Sequence, residues 1–140
     1  MLGAVATRPL LLALAACLLV GCADDGPSDE AQVRATLERF QRATEARDYR
    51  SLCGEILAPE LVESVKRIGV SCEVALEKGF EDLRDPRLAI GSISVRGDSA
   101  SARVRSSAAG QDPSDDTIEL VRVDGDWRIA SLGGDAPATG

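Results

Sequence analysis

The 140-residue chain has no histidine, two lysines, one tyrosine, one tryptophan and two phenylalanines. Without an imidazole there is no serine or cysteine triad of the usual kind. The four cysteines show no CxxC spacing and, with no histidine, would make a poor zinc site. Neither a Walker loop nor a GxGxxG turn is present, and no cofactor is expected. With aromatics at 3 %, any sizeable ligand cavity would be lined mainly by Leu, Ile, Val and Ala. Basic residues are scattered and outnumbered, leaving a net charge of −7. That balance speaks against nucleic acid as a partner. No apolar run reaches the roughly 20 residues that span a bilayer.

The first thing the chain does contain is a short apolar run, residues 10–20, preceded by the single charge of Arg8. Its length suits the core of a secretory signal. The run stops at Gly21 and Cys22, and the chain then turns polar as ADDGPSDE. Leu19-Val20-Gly21-Cys22 resembles the bacterial lipobox, which implies cleavage before Cys22 and attachment of diacylglycerol to its thiol. An ordinary secretory signal with a stray cysteine is the rival reading. The lipobox reading divides the chain into a lipoprotein signal peptide (1–21), lipidated Cys22 with a short tether (22–29), a domain (30–132) and a disordered tail (133–140). It implies an exported protein held by its lipid on the outer face of the bacterial cytoplasmic membrane.

Removing Cys17 with the signal and lipidating Cys22 leaves Cys53 and Cys72 as a pair. Outside the cytosol such a pair reads as a disulfide. A two-thiolate metal site and two free core thiols are the alternatives.

Helical periodicity comes first along the domain. Val33, Leu37, Phe40 and Ala43 or Thr44 share one stripe, with Ser28 as N-cap and Arg47 near the end. Asp48 caps a second helix over 49–57, with Leu52, Cys53 and Ile56 inward. Pro59 opens a third, stopped by Gly69, and Ser71 caps a fourth that carries Ala75, Leu76, Phe80 and Leu83 on one side. After Pro86 the period becomes two. Leu88, Ile90, Ile93 and Val95 form a strand with a bulge at Gly91 and Ser92, and Ala100, Ala102 and Val104 mark its return. Asp124-Gly125 between apolar runs predicts a second hairpin.

Helices followed by two hairpins closing on VRVDGDWRIASL resemble the nuclear transport factor 2-like (SnoaL-like) superfamily, in particular its small bacterial lipoprotein members. Phe40, the Arg47-Asp48-Tyr49 boundary, the Cys53 and Cys72 pair and the GDSASARV hairpin carry the likeness. It implies an α+β fold in which N-terminal helices pack on a curved antiparallel sheet of about four strands, leaving a cone whose mouth can hold a ligand. One departure stands out: many members have a small hairpin where residues 60–70 read as helix. The resemblance also implies a partner, or a second copy of the chain, on the open face of the sheet.

Enzymes of this superfamily use a buried acid, histidine or tyrosine. The nearest candidates here are Asp48, Tyr49 and Glu55, each with a plainer reading as helix cap, half-buried aromatic and surface acid. No catalytic residue and no metal ligand is assigned. The leading expectation is a membrane-tethered, non-catalytic binding or accessory domain. The alternative is a carrier or sensor of a small apolar ligand, with Phe40, Tyr49, Leu52, Phe80, Trp127 and Ile129 as candidate pocket lining, and a ketosteroid-isomerase-like enzyme stands third.

Overall fold

The computed structural model describes residues 26–133, with Gly3 alone ahead of them. The signal segment, Cys22 and the tail beyond Gly133 lie outside the described residues. Helix α1 (Asp29–Ala46) starts where the Ser28 hydroxyl accepts from the Ala31 amide at 3.2 Å. Asp29 and Glu30 occupy its first turn, where the helix dipole favours negative charge. It closes at Arg47, whose backbone is left-handed with φ 54°. Val33 and Leu37 on its inner stripe are fully buried.

Asp48 caps α2 (Tyr49–Ser51), accepting from the Ser51 amide at 3.1 Å. The expected single helix over 49–57 is instead two windings. After Ser51 the chain widens into a π-helical turn, Leu52–Ile56, in which the Leu57 amide donates to the Leu52 carbonyl at 2.9 Å. Leu52, Cys53 and Ile56 are buried there. The chain then runs extended along the last strand, where the Ala58 amide donates to the Ile129 carbonyl at 2.7 Å.

Helix α3 (Pro59–Lys66) confirms helix where the superfamily often has a hairpin. Helix α4 (Cys72–Gly79) is capped by Ser71 and ends sooner than its apolar stripe suggests. Gly79 is a poor helix former. Beyond it the Arg47 guanidinium donates to the Phe80 and Leu83 carbonyls, each at 3.0 Å, satisfying acceptors that a longer helix would have used.

The sheet is antiparallel in the order β1 (Arg87–Arg96), β2 (Ser99–Ser107), β3 (Ser114–Val123), β4 (Asp126–Ser131). The register breaks between Ile90 and Ile93, at the expected bulge. A Cβ on Gly91 would come within 3.0 Å of the Arg103 carbonyl oxygen, so glycine lets the two strands approach closely at the bulge. Asp124 (φ 50°) and Gly125 (φ 88°) form the tight turn of the last hairpin. Ala100 faces Leu120, Ala102 faces Ile118 and Leu120 faces Ile129. All are buried, with Trp127, in one core beneath α1. Among the described residues no helix is long and apolar enough to cross a membrane.

Cys53 and Cys72 form a disulfide with Cα atoms 6.0 Å apart, joining the π-helical turn to the start of α4 across α3. The metal and free-thiol readings of this pair are thereby set aside. Replacing Cys53 by Ser is expected to expose one titratable thiol, on Cys72, and to lower unfolding stability by about 3 kcal/mol. Thiol titration with denaturant unfolding measures both, and unchanged stability would show that the bond constrains nothing.

Candidate functional site: a cleft at the open end of the sheet

Helix α1 packs against the sheet nearest to β1 and β4. Its N-terminal end meets the β1–β2 turn, where Arg122 reaches Asp29 at 2.6 Å and lies 3.3 Å from Asp98. Its C-terminal end meets the start of β1, where the Gln41 side chain donates to the Pro86 carbonyl at 2.9 Å and Arg87 stands 3.6 Å from Glu45. At this second end the sheet and the helix part, and a cleft of about 230 Å³ lies between them.

Its apolar side is built by Phe40, Phe80, Leu83, Leu88, Ile118 and Leu132. Phe80 and Leu83 are held there by the Arg47 clamp, whose guanidinium also donates to the Tyr49 hydroxyl at 3.2 Å. Its polar side comes from the ends of β2 and β3, where Ser106 and Ser114 pair across the sheet. The Ser106 hydroxyl donates to Asp116 Oδ2 at 3.2 Å and the Ser114 hydroxyl donates to the same oxygen at 2.7 Å. Gly133 lies over Asp116 so closely that a side chain there would come within 2.9 Å of its Cβ. Thr44, 8 % exposed, also lines the cleft, and its hydroxyl has no hydrogen-bond partner among the described residues. A wider, more polar opening adjoins it and shares Thr44, Phe80, Leu83 and Pro86.

Of the residues put forward as pocket lining, Phe40 and Phe80 line this cleft. Leu52, Trp127 and Ile129 do not: they are core, exposed by 3 % or less. Trp127 packs beneath the Arg122 guanidinium, 4.6 Å from its ring centroid, at the opposite end of the molecule. Tyr49 stands outside the cleft, its ring 6.4 Å from that of Phe80. The physical reason is the direction of the last strand. Trp127 begins β4 at the end where α1 sits tightest, and only Leu132, beyond its close, reaches the cleft. The serine pair and Asp116 are not among the candidates read from the sequence, and Thr44 is placed there only on the inward stripe of α1. Their signal in the sequence was an inward alternation on β2 that turns from Ala100, Ala102 and Val104 to Ser106.

Asp48, Tyr49 and Glu55 do not converge. Asp48 serves as the α2 cap, and the hydrogen bonds it accepts from Ser51 hold its carboxyl below the usual aspartate value. Glu55 is exposed, 3.4 Å from Arg39. Among the described residues no group of three or more metal-ligating side chains comes together. The outer face of the sheet, where the resemblance implies a partner, carries small and charged side chains. They include Ser101, Arg103, Glu119 and an Arg105–Asp115 pair at 2.8 Å.

No known family profile and no curated protein matches the chain. Solved structures do. An NTF2-like protein of unknown function from Silicibacter pomeroyi is 27 % identical, aligning over 72 % of this chain and 89 % of its own, with a TM-score of 0.52. A de novo designed NTF2-fold protein aligns over 79 % of this chain and 90 % of its own, at 14 % identity and the same TM-score of 0.52. An NTF2-like protein of unknown function from Shewanella baltica gives 15 % identity over 71 % of this chain and 86 % of its own, with a TM-score of 0.50. The domain is therefore an α+β domain of the cone-shaped, sheet-and-helix class. It has the nuclear transport factor 2-like fold that these structures share.

Two outcomes follow. Replacing Thr44 by Val removes a buried, unpaired hydroxyl at nearly constant shape and should raise unfolding stability by about 1 kcal/mol. A loss of stability on thermal unfolding would mean that the hydroxyl has a partner. Because the folded-state pKa of Asp48 is lowered, its cap stabilises above the unfolded value near ~3.9 and is lost as pH falls through the folded value. The stability gap between the wild-type chain and Asp48→Ala should accordingly be widest near neutrality and close on acidification, as urea unfolding at a series of pH values would record.

Proposed function

We propose that this chain is an exported lipoprotein, held by lipid on Cys22 to the outer face of the bacterial cytoplasmic membrane. Its nuclear transport factor 2-like domain is a non-catalytic binding module that takes a small, mainly apolar molecule into the cleft. The observation that carries this reading is the cleft itself. Its volume of about 230 Å³ exceeds the ~150 Å³ of an apolar cavity able to hold benzene. Its apolar side is built by two aromatic and four aliphatic side chains drawn from α1, the α4 end and three stretches of the sheet. The module reading is supported by the acids and the tyrosine nearest to catalytic use, which serve as cap, surface ion-pair partner and clamp acceptor.

The tether and the cleft belong to opposite ends of the domain. Cys22 lies seven positions before Asp29, at the start of α1, whereas Thr44 lies fifteen positions after it. At 1.5 Å per residue the cleft stands about 20 Å farther along the helix than the tethered end. Asp29, Glu30 and Asp98 gather at that end around the single guanidinium of Arg122, and Asp24 and Asp25 precede them in the sequence, an acidic balance that disfavours anionic headgroups. The ligand then enters from the aqueous side. The polar outer face of the sheet favours this reading over a permanent dimer, whose interface is usually apolar.

Replacing Cys22 by Ala should move the protein from the membrane to the soluble fraction, and retention in the membrane would remove the lipid anchor from this account. Non-denaturing mass spectrometry of the released chain should show a small-molecule adduct that disappears on denaturation. A clean unliganded mass from several expression conditions would point instead to an accessory domain acting through protein partners.

A further inference from the structure

A cleft that served only to bury an apolar body would be walled by apolar side chains throughout, and this one is not. At the ends of β2 and β3, Ser106 and Ser114 face each other on the inner side of the sheet, both lining the cleft. Their hydroxyl protons are already committed. A carboxylate accepts and does not donate, so both serines donate to the one oxygen Asp116 Oδ2, at 3.2 and 2.7 Å. Gly133 (φ 74°) approaches Asp116 so closely that a Cβ there would lie 2.9 Å from the Asp116 Cβ. A hydroxyl whose proton is engaged presents only lone pairs to its other neighbours. Donation to a charged acceptor also polarises each serine oxygen, strengthening it as an acceptor in turn.

The sign of the surroundings agrees. Asp116 lies directly behind the serines and Asp112 lines the same rim. Arg87, the cation that also lines the cleft, stands beside Glu45. At the serine pair an anionic head group would find both hydroxyl protons engaged and a carboxylate beside them. The other donors of the cleft, Thr44, Ser107, Gln111 and Arg87, lie elsewhere on its lining. A hydroxyl or a protonated amine would find two oriented acceptors and a carboxylate behind them.

We infer that Ser106, Ser114 and Asp116 form a hydrogen-bond-accepting wall that selects, for this cleft, an apolar molecule bearing a donor head group, an alcohol or an amine, and discriminates against carboxylates. The apolar side supplies most of the affinity and the serine wall decides which end of the ligand enters. This rests on the reading of the cleft as a ligand site. In size the ligand body corresponds to a fused pair of rings or a short branched chain.

Three probes of one shape test it: naphthalene, 1-naphthol and 1-naphthoate, each titrated into the exported chain made lipid-free by Cys22→Ala. Binding is followed by nuclear magnetic resonance at Leu88, Ile118 and Leu132, which line the cleft. The expected order places 1-naphthol roughly threefold to tenfold tighter than naphthalene, the worth of one net hydrogen bond, and 1-naphthoate weakest. In the double variant Ser106→Ala, Ser114→Ala, 1-naphthol should fall to the level of naphthalene. Naphthalene binding should be unchanged, which also reports that the variant keeps its cleft. If naphthalene and 1-naphthol bind equally, or the preference survives the double substitution, the serine wall reads nothing, although the cleft still binds. Tightest binding by 1-naphthoate would reverse the assigned polarity. If no probe shifts those resonances, the ligand-site reading falls and this inference falls with it.

Discussion

The seating of α1 on the inner face of the sheet is the constraint on which everything else depends. Along its first three turns Val33, Thr36 and Leu37 are almost entirely shut off from solvent. They are covered by the inner face of the sheet, whose Ala100, Ala102, Leu120 and Ile129 are buried in the same core, and the helix lies nearest to β1 and β4. The Thr36 hydroxyl adds a specific tie, donating at 3.2 Å to the carbonyl of Trp127. Close packing of this kind tolerates little adjustment. With the first half of the helix pinned, the course of its second half is set, and there Phe40 and Thr44 look onto serines where the first half meets alanine and leucine. The cleft lies where the inner face beside the helix changes from apolar to polar side chains.

Two arginines manage the two ends. Arg122 joins the start of α1 to the β1–β2 turn and lies over the Trp127 ring. Arg47 joins the end of α1 to the chain leaving α4 by two hydrogen bonds to main-chain carbonyls. Neither ion pairing nor charge as such is the point, since exposed pairs contribute little. What each supplies is a forked donor that fixes the position of one segment relative to another. The disulfide acts on the same elements from the other side, tying α4 to the π-helical turn that packs beneath α1. Phe80 and Leu83 are thus held in the cleft wall by a clamp and a covalent bond, though they lie outside any helix or strand.

Periodicity made most of this fold legible before any coordinates. Helix α1 with its Ser28 cap, the helix at Pro59, the bulge at Gly91 and the Asp124-Gly125 turn all stand where the residues place them. The π-helical turn could not be read, because Leu52 and Ile56 fall on one face in either winding. The stop of α4 was obscured by a stripe that continues through Phe80 and Leu83, and the Arg47 clamp that ends it joins residues more than thirty positions apart. The site was half legible. Phe40 and Phe80 were found as large apolar residues facing inward. Trp127 and Ile129 were misplaced because alternation tells which face a side chain takes and not how far along the sheet the helix stays in contact.

The inner face itself shows why the core ends where it does. Along β3 the inward residues run Asp116, Ile118, Leu120, Arg122, polar at both extremities and apolar between. Along β2 they run Ala100, Ala102, Val104, Ser106, apolar until the last. At the Arg122 end the guanidinium is hydrogen-bonded to Asp29 and lies near Asp98 and over the Trp127 ring, all belonging to the domain's own closure. Arg122 Nε and Trp127 Nε1 have no hydrogen-bond partner among the described residues. At the Asp116 end the polar group is spoken for by two serines whose remaining capacity faces open space. A fold selected only for stability would extend the apolar pattern through Ser106 and Ser114 and bring a larger side chain against Thr44. Local rules of patterning are broken where function competes with packing. Here they are broken at the end of the sheet beside the close of α1 and kept at the end beside its start.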